Sequence, residues 1–215
     1  MINMIRFIVG FCCLIGWTPH ANFVASTLGL YHLSSPPNSE LELITSVVAE
    51  EYCNEDQLRM TLELKFNNSS QKRIILYKYS VGVVRSLVSS NRESAMTKQY
   101  EADTRYLVNL IAGAAEIDGS APGDNFAILQ PNDSYTTKAH VILFLNRVEK
   151  GVPRNLSPGD HYLQVVVQTW YLSDDLSKKL SKQWRPTGSL WTDDVRSQPM
   201  RFRIESKDSV GKCSQ

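Results

Sequence analysis

The sequence of 215 residues predicts an all-β fold, an antiparallel two-sheet β-sandwich of about seven to nine strands with one short helical insertion. Three observations carry this reading: strict alternation of apolar and polar residues in several segments, polar turn clusters between them, and only two stretches that break the period of two. With 42% hydrophobic and 21% charged residues, the composition excludes a disordered or collagen-like chain.

Residues 1–26 hold one cation, Arg6, then an apolar run from Phe7 to Trp17 and a more polar stretch with Pro19. This is the layout of a secretory signal peptide. The run is well short of the ~20 residues a spanning helix needs, so no membrane span is expected after cleavage. Phe11 before Cys12 departs from the small residues that a lipoprotein signal places there. The expected organisation is a signal peptide over 1–26, a linker over 27–40, a β-sandwich over 41–206 and a tail over 207–215. The expected location is secreted, or periplasmic and cell-envelope. Removing the signal segment takes Arg6 from the 23 basic residues and leaves 22 against 22 acidic ones. A chain with no basic excess is not expected to bind nucleic acid. Cys53 and Cys213 remain, and an isolated pair in an oxidising compartment predicts a disulfide tying the start of the domain to its end.

A weak first strand spans Leu41 to Val48. Leu58 to Phe66 then alternates without a break, Leu58, Met60, Leu62, Leu64 and Phe66 on one face and charged or polar residues on the other. Asn67 to Lys72 reads as a polar turn. Ile75, Tyr77 and Tyr79 continue as a strand, with Gly82 marking a bulge or bend. Ser90–Asp103 lacks Gly and Pro and can form a short helix, and Arg105–Ile111 is a further strand candidate. The segment 113–125 reads as a mobile acidic loop. Phe126–Leu129, Tyr135–Leu145, the stretch from His161 to Tyr171, and Met200–Ile204 complete the strands. Asp174–Trp184 is the clearer helix: Leu176, Leu180 and Trp184 fall at i, i+4 and i+8, Ser173 or Asp174 caps its start, and Arg185-Pro186 ends it. Trp170, Trp184 and Trp191 are expected to form an aromatic cluster on which this helix docks.

Chemistry is hard to find. No nucleophile elbow, phosphate loop, zinc-binding helix or C-x-x-C pair follows the signal segment. His32, His140 and His161 are isolated in sequence. The pairs Glu50-Glu51, Asp174-Asp175 and Asp193-Asp194 are adjacent, and adjacent strand residues point apart. Glu116, Asp118 and Asp124 match no calcium-loop spacing. No catalytic, cofactor-binding or metal-binding residue is nominated, and no cofactor is expected. Asn67, Asn68, Asn132 and Asn155 begin N-x-[ST] sequons.

The stretches LELKFNNSSQKRIILYK (62–78), FAILQPNDSY (126–135), LSPGDHYLQVVVQTWY (156–171) and SQPMRF (197–202) resemble the Ig-like β-sandwich of uncharacterised bacterial secreted proteins. The likeness spans roughly residues 40 to 205 and rests on turn formers and core alternators, so it implies an Ig-like architecture and no activity. A broader similarity, at the level of fold, is to bacterial Ig-like proteinase inhibitors and adhesion modules. The expected function is a secreted, non-enzymatic binding or interaction module whose partner is an unknown protein or glycan. Loops 113–125 and 146–158 are the expected recognition loops. The alternatives are a proteinase-inhibitor-like protein and a carbohydrate-binding module.

Overall fold

A computed structural model describes residues 40–53, 57–78, 83–107, 117, 119–149 and 152–205. The chain divides into two units, 1–34 and 35–215, and every described residue belongs to the second. Residues 1–26, expected as a signal peptide, His32, Gly82, Cys213 and the expected tail 207–215 lie outside the described residues.

Among the described residues the fold is largely β-strand, with a minor helical part and several small sheets. In chain order the elements are β1 (Leu41–Cys53), β2 (Gln57–Asn68), β3 (Ile74–Tyr77), β4 (Val83–Ser89), α1 (Arg92–Met96), β5 (Ala102–Leu107), β6 (Phe126–Leu129), β7 (Ser134–Phe144), β8 (Asn146–Glu149), β9 (Val152–Asn155), β10 (Gly159–Val167), α2 (Asp174–Gln183), β11 (Ser189–Leu190), β12 (Val195–Arg196) and β13 (Met200–Ile204). Thirteen strands among the described residues exceed the seven to nine expected, for physical reasons. β11 and β12 have two residues each, too few for any period to register. The stretch 146–158, expected as a recognition loop, contains the antiparallel hairpin β8-β9.

One sheet has the order β1-β2-β7 and is antiparallel throughout. A second has the order β12-β10-β4-β5, with β13 also on β10. β12 pairs with Val166 and Val167, and β13 pairs with Gly159 to Leu163, so two short strands share one edge of β10. Pro199, which has no N–H to give the ladder, lies in the break between them. Ser197 bridges that break: its N–H donates to the Val165 carbonyl at 2.8 Å and its Oγ accepts from the Val165 N–H at 2.9 Å. A third sheet, β11-β3-β6, combines a parallel and an antiparallel pairing.

The alternating residues of β2, Leu58 to Phe66, are all buried. They join residues of β4, β10 and β13, including Val88, Val165 and Phe202, in one core cluster. A second cluster contains Ile75, Tyr77, Phe126, Trp170, Leu180, Trp184 and Leu190. All four residues of β3 are buried because the strand lies between the two: Ile74 and Leu76 enter the first cluster, Ile75 and Tyr77 the second. Ser173 caps α2, its Oγ accepting from the Leu176 N–H at 3.3 Å, and Asp174 and Asp175 occupy the first turn.

The expected disulfide is corrected. Among the described residues no two sulfurs lie at bonding distance: Cys53 is the single cysteine there, and Cys213 lies outside them. Cys53 itself is buried at the end of β1 and is engaged in contacts there. Among the described residues, Tyr52 ties β1 to the last strand: its hydroxyl donates to the Arg203 carbonyl at 3.2 Å and accepts from the Glu205 N–H at 2.9 Å.

Two residues earlier on β1, Glu50 has its carboxyl held above the usual glutamate range, first by burial and then by the charge of Glu205. A raised folded-state value means that this contribution to stability is fully present below the ordinary glutamate range and is lost as pH rises through the folded value. The side chain keeps an exposed surface, so solvent screening holds the effect to less than about 1 kcal/mol. Glu50→Gln is therefore expected to melt close to the wild type at about pH 4 and slightly above it at about pH 7. Thermal melts across that range check this, and a variant that loses ground as pH rises would contradict it.

Candidate functional site

Asn68 is 1% exposed at the end of β2, in the stretch that reads as a polar turn. Its Nδ2 donates to the carbonyls of Lys72 at 2.7 Å, Leu129 at 3.0 Å and Gln130 at 3.0 Å. Its Oδ1 accepts from the N–H and hydroxyl of Ser70 at 2.9 and 2.8 Å, closing an Asx turn. The main chain adds two bonds: Asn68 N–H donates to Asp133 and Asn132 N–H donates to the Asn68 carbonyl, each at 2.9 Å. One buried amide thereby locks the 69–73 turn to the 130–133 turn, and buried polar groups that are fully satisfied are rigid.

A third segment closes on this pair. Ser189 N–H donates to the Arg73 carbonyl at 2.8 Å, and Trp191 N–H donates to the Ile75 carbonyl at 2.9 Å. Gly188 permits that approach, since a Cβ there would stand 2.9 Å from the Arg73 carbonyl oxygen. The Arg73 guanidinium donates to the Pro186 carbonyl at 3.0 Å.

Two open clefts flank the turn. One, of about 670 Å³, lies between Lys72, Arg73, Gln130, Ser181, Arg185 and Ser189. The other, of about 790 Å³, lies between Glu40, Ser69, Ser70, Trp191 and Asp193. Gln71 and Lys72 border both. Trp191 is half-buried, packs against the first core cluster, and donates its indole N–H to the Asp193 carbonyl at 2.7 Å. The surfaces are polar and held by backbone bonds from three chain segments. Such a site suits hydrogen bonding and charge recognition, and its fixed shape lowers the ordering cost of binding.

Trp170 and Trp184 lie together in the second cluster with Leu180, whereas Trp191 lies away from it at the margin of the first. Trp184 meets Phe126 edge-on at 4.8 Å, and Trp170 meets Tyr77 at 6.0 Å. Trp184 Nε1 and Gln183 Nε2 both donate to the Gly119 carbonyl, at 3.1 and 2.9 Å, and Ile117 packs on the same cluster. The described part of the 113–125 loop is thus fastened to α2 rather than loose. Glu116 and Asp118 lie outside the described residues, and among the described residues no group of His, Cys, Asp or Glu could hold a metal ion.

The two described histidines, His140 and His161, do not share a site. His140, on β7, has its Nδ1 3.1 Å from the Thr61 hydroxyl on the exposed face of β2. A third cleft, of about 470 Å³, lies here beside Glu51, Arg59 and Ile142. Nucleophilic use of Thr61 would need a base oriented by a third group, and among the described residues none bonds the other nitrogen of His140. His161, on β10, is 3% exposed and meets the Phe202 ring at a tilt, with centroids 5.8 Å apart. Its Nε2–H donates to the Ser157 carbonyl at 2.8 Å, and its Nδ1 lies 3.4 Å from the Glu101 carboxylate without hydrogen-bond geometry. Of the sequon asparagines, Asn68 is buried, Asn67 half-buried, and Asn132 and Asn155 exposed. No helix among the described residues is long and apolar enough to cross a membrane.

No family model matches the chain, and no curated protein matches it. Among solved structures, the chain is similar to the X-ray structure of a Northeast Structural Genomics Consortium target, at 9% identity and a TM-score of 0.32, over 81% of this chain and 93% of that one.

Proposed function

We propose that this protein is a secreted, non-enzymatic binding module with an Ig-like β-sandwich of the kind found in bacterial secreted proteins, and that it takes its ligand in the paired clefts around the 69–73 turn. The observation that carries the reading is the shared wall of Gln71 and Lys72 between two open polar clefts, held in place by the bonds of Asn68. A preformed concave site with a few fixed polar groups is the usual form of a ligand seat. Lys72 and Arg185 are exposed, so their replacement leaves the cores intact.

The test is an array of immobilised oligosaccharides and linear peptides, probed with the wild type and with the double variant Lys72→Glu/Arg185→Glu. Features bound by the wild type are expected to lose the variant while its melting temperature is unchanged. Equal binding by both proteins, or no bound feature at all, would sink the reading. Tight, stoichiometric inhibition of a protease panel would replace it with the inhibitor alternative.

A further inference from the structure

The two clefts differ in charge. Lys72, Arg73 and Arg185 line the cleft of about 670 Å³ beside α2, with no carboxylate among its lining residues. All three are exposed, and among the described residues none is in an ion pair. Arg185 sits at the C-terminal end of α2, where a cation offsets the negative end of the helix dipole. Lys72 and Arg73 come from a different segment, and Arg73 spends one donor of its planar fork on Pro186 and keeps the others for an incoming group. The second cleft is lined by Glu40, Asp193 and the half-buried Trp191, with Lys72, shared with the first cleft, as its one cation. Carboxylates accept hydrogen bonds from hydroxyls, and an indole packs against the C–H surface of a pyranose ring.

We infer that the two clefts form one seat for an acidic oligosaccharide. A pyranose lies against Trp191 with its hydroxyls donating to Glu40 and Asp193. A uronic acid further along the same chain places its carboxylate over Lys72, Arg73 and Arg185. Gln71 and Lys72, common to both clefts, set the crossing point. An acidic peptide would satisfy the cationic cleft and be repelled by the other. A nucleic acid would meet the same carboxylates and a nearly neutral chain, with 23 basic residues against 22 acidic ones. The inference rests on the binding-module reading and adds the chemistry of the ligand to it.

The experiment is calorimetric titration of the full chain with oligomers of polygalacturonate, alginate and hyaluronan, each beside its carboxyl-reduced counterpart, with polyglutamate as a control. At least one acidic oligomer is expected to bind at least about tenfold more tightly than its reduced form, and to weaken with salt. Arg185→Ser, which lies outside the second cleft, is expected to lower that ratio, and an unchanged ratio would overturn the part assigned to the cationic cleft. Bound sugar is expected to change the tryptophan emission of the wild type and not of Trp191→Phe. Equal affinity for acidic and reduced forms would overturn the acidic half while the module reading stands. Polyglutamate binding as tightly as the best glycan would overturn the sugar half. Failure of every glycan overturns the inference, and the array of the preceding section then decides the module reading separately.

Discussion

Trp184→Ala is expected to destabilise the protein by about 4 kcal/mol, within the range for removing a large buried aromatic side chain. The residue is 1% exposed and meets Phe126 edge-on, so its loss leaves a void that the rigid β3-β6 pairing cannot collapse to fill. It also ends α2, its N–H donating to the Leu180 carbonyl at 2.8 Å and its carbonyl accepting from Thr187 and Gly188 at 2.8 and 3.0 Å. Those main-chain bonds survive the substitution, so what is lost is the packing of the ring together with its indole bond to the Gly119 carbonyl. For a domain of this size the melting temperature should fall on the order of 10 °C. Urea denaturation measures the free energy, and Trp184→Phe should recover more than half of it by refilling the void. A loss below about 1 kcal/mol for the alanine variant would mean that α2 is not held by this ring.

Asn68→Asp is expected to cost about 3 kcal/mol or more at neutral pH, although it changes one atom. The amide nitrogen that donates to three carbonyls is replaced by an oxygen bearing negative charge, and the three carbonyls of Lys72, Leu129 and Gln130 then face it. Repulsion raises the folded-state pKa of the introduced carboxyl, so stability should return as pH falls through that raised value, where a protonated acid can donate one bond. Asn68→Ala removes the donors without adding charge and should be insensitive to pH in the same range. The pH dependence therefore separates a lost hydrogen-bond network from a buried charge. Identical unfolding curves for the aspartate variant and the wild type at neutral pH would remove Asn68 from its role in the clefts.

Residues with a repeating environment were legible from the sequence. Leu58 to Phe66 alternates because β2 has a neighbour on each side and one buried face, and the pattern names each buried residue. Leu176, Leu180 and Trp184 name the buried side of α2 because the helical period repeats over the docking surface. The clefts have no such signature. They are assembled from residues near 70, 130 and 190, each a short polar stretch with the composition of an ordinary turn. Asn68 is the sharpest case: Asn-Ser-rich composition looks the same whether the asparagine is solvated or makes five side-chain hydrogen bonds in the interior. Closeness in sequence groups Trp191 with Trp170 and Trp184. Leu190 of β11 packs in the second cluster with α2, and the next residue, Trp191, packs against the first, because successive residues of an extended chain point apart.

The buried amide of Asn68 also opens a glycosylation sequon, Asn68-Ser69-Ser70. An N-linked sugar is attached through the same nitrogen that donates to Lys72, Leu129 and Gln130. The native fold and a glycan at this position are thus mutually exclusive, and the order of events decides the fate of each molecule. In a host whose glycosyltransferase acts on the emerging chain, every molecule modified at Asn68 before β2 meets β7 is diverted from the native state. Asn132 and Asn155, both exposed, impose no such race. The choice of expression host is accordingly a folding variable for this protein.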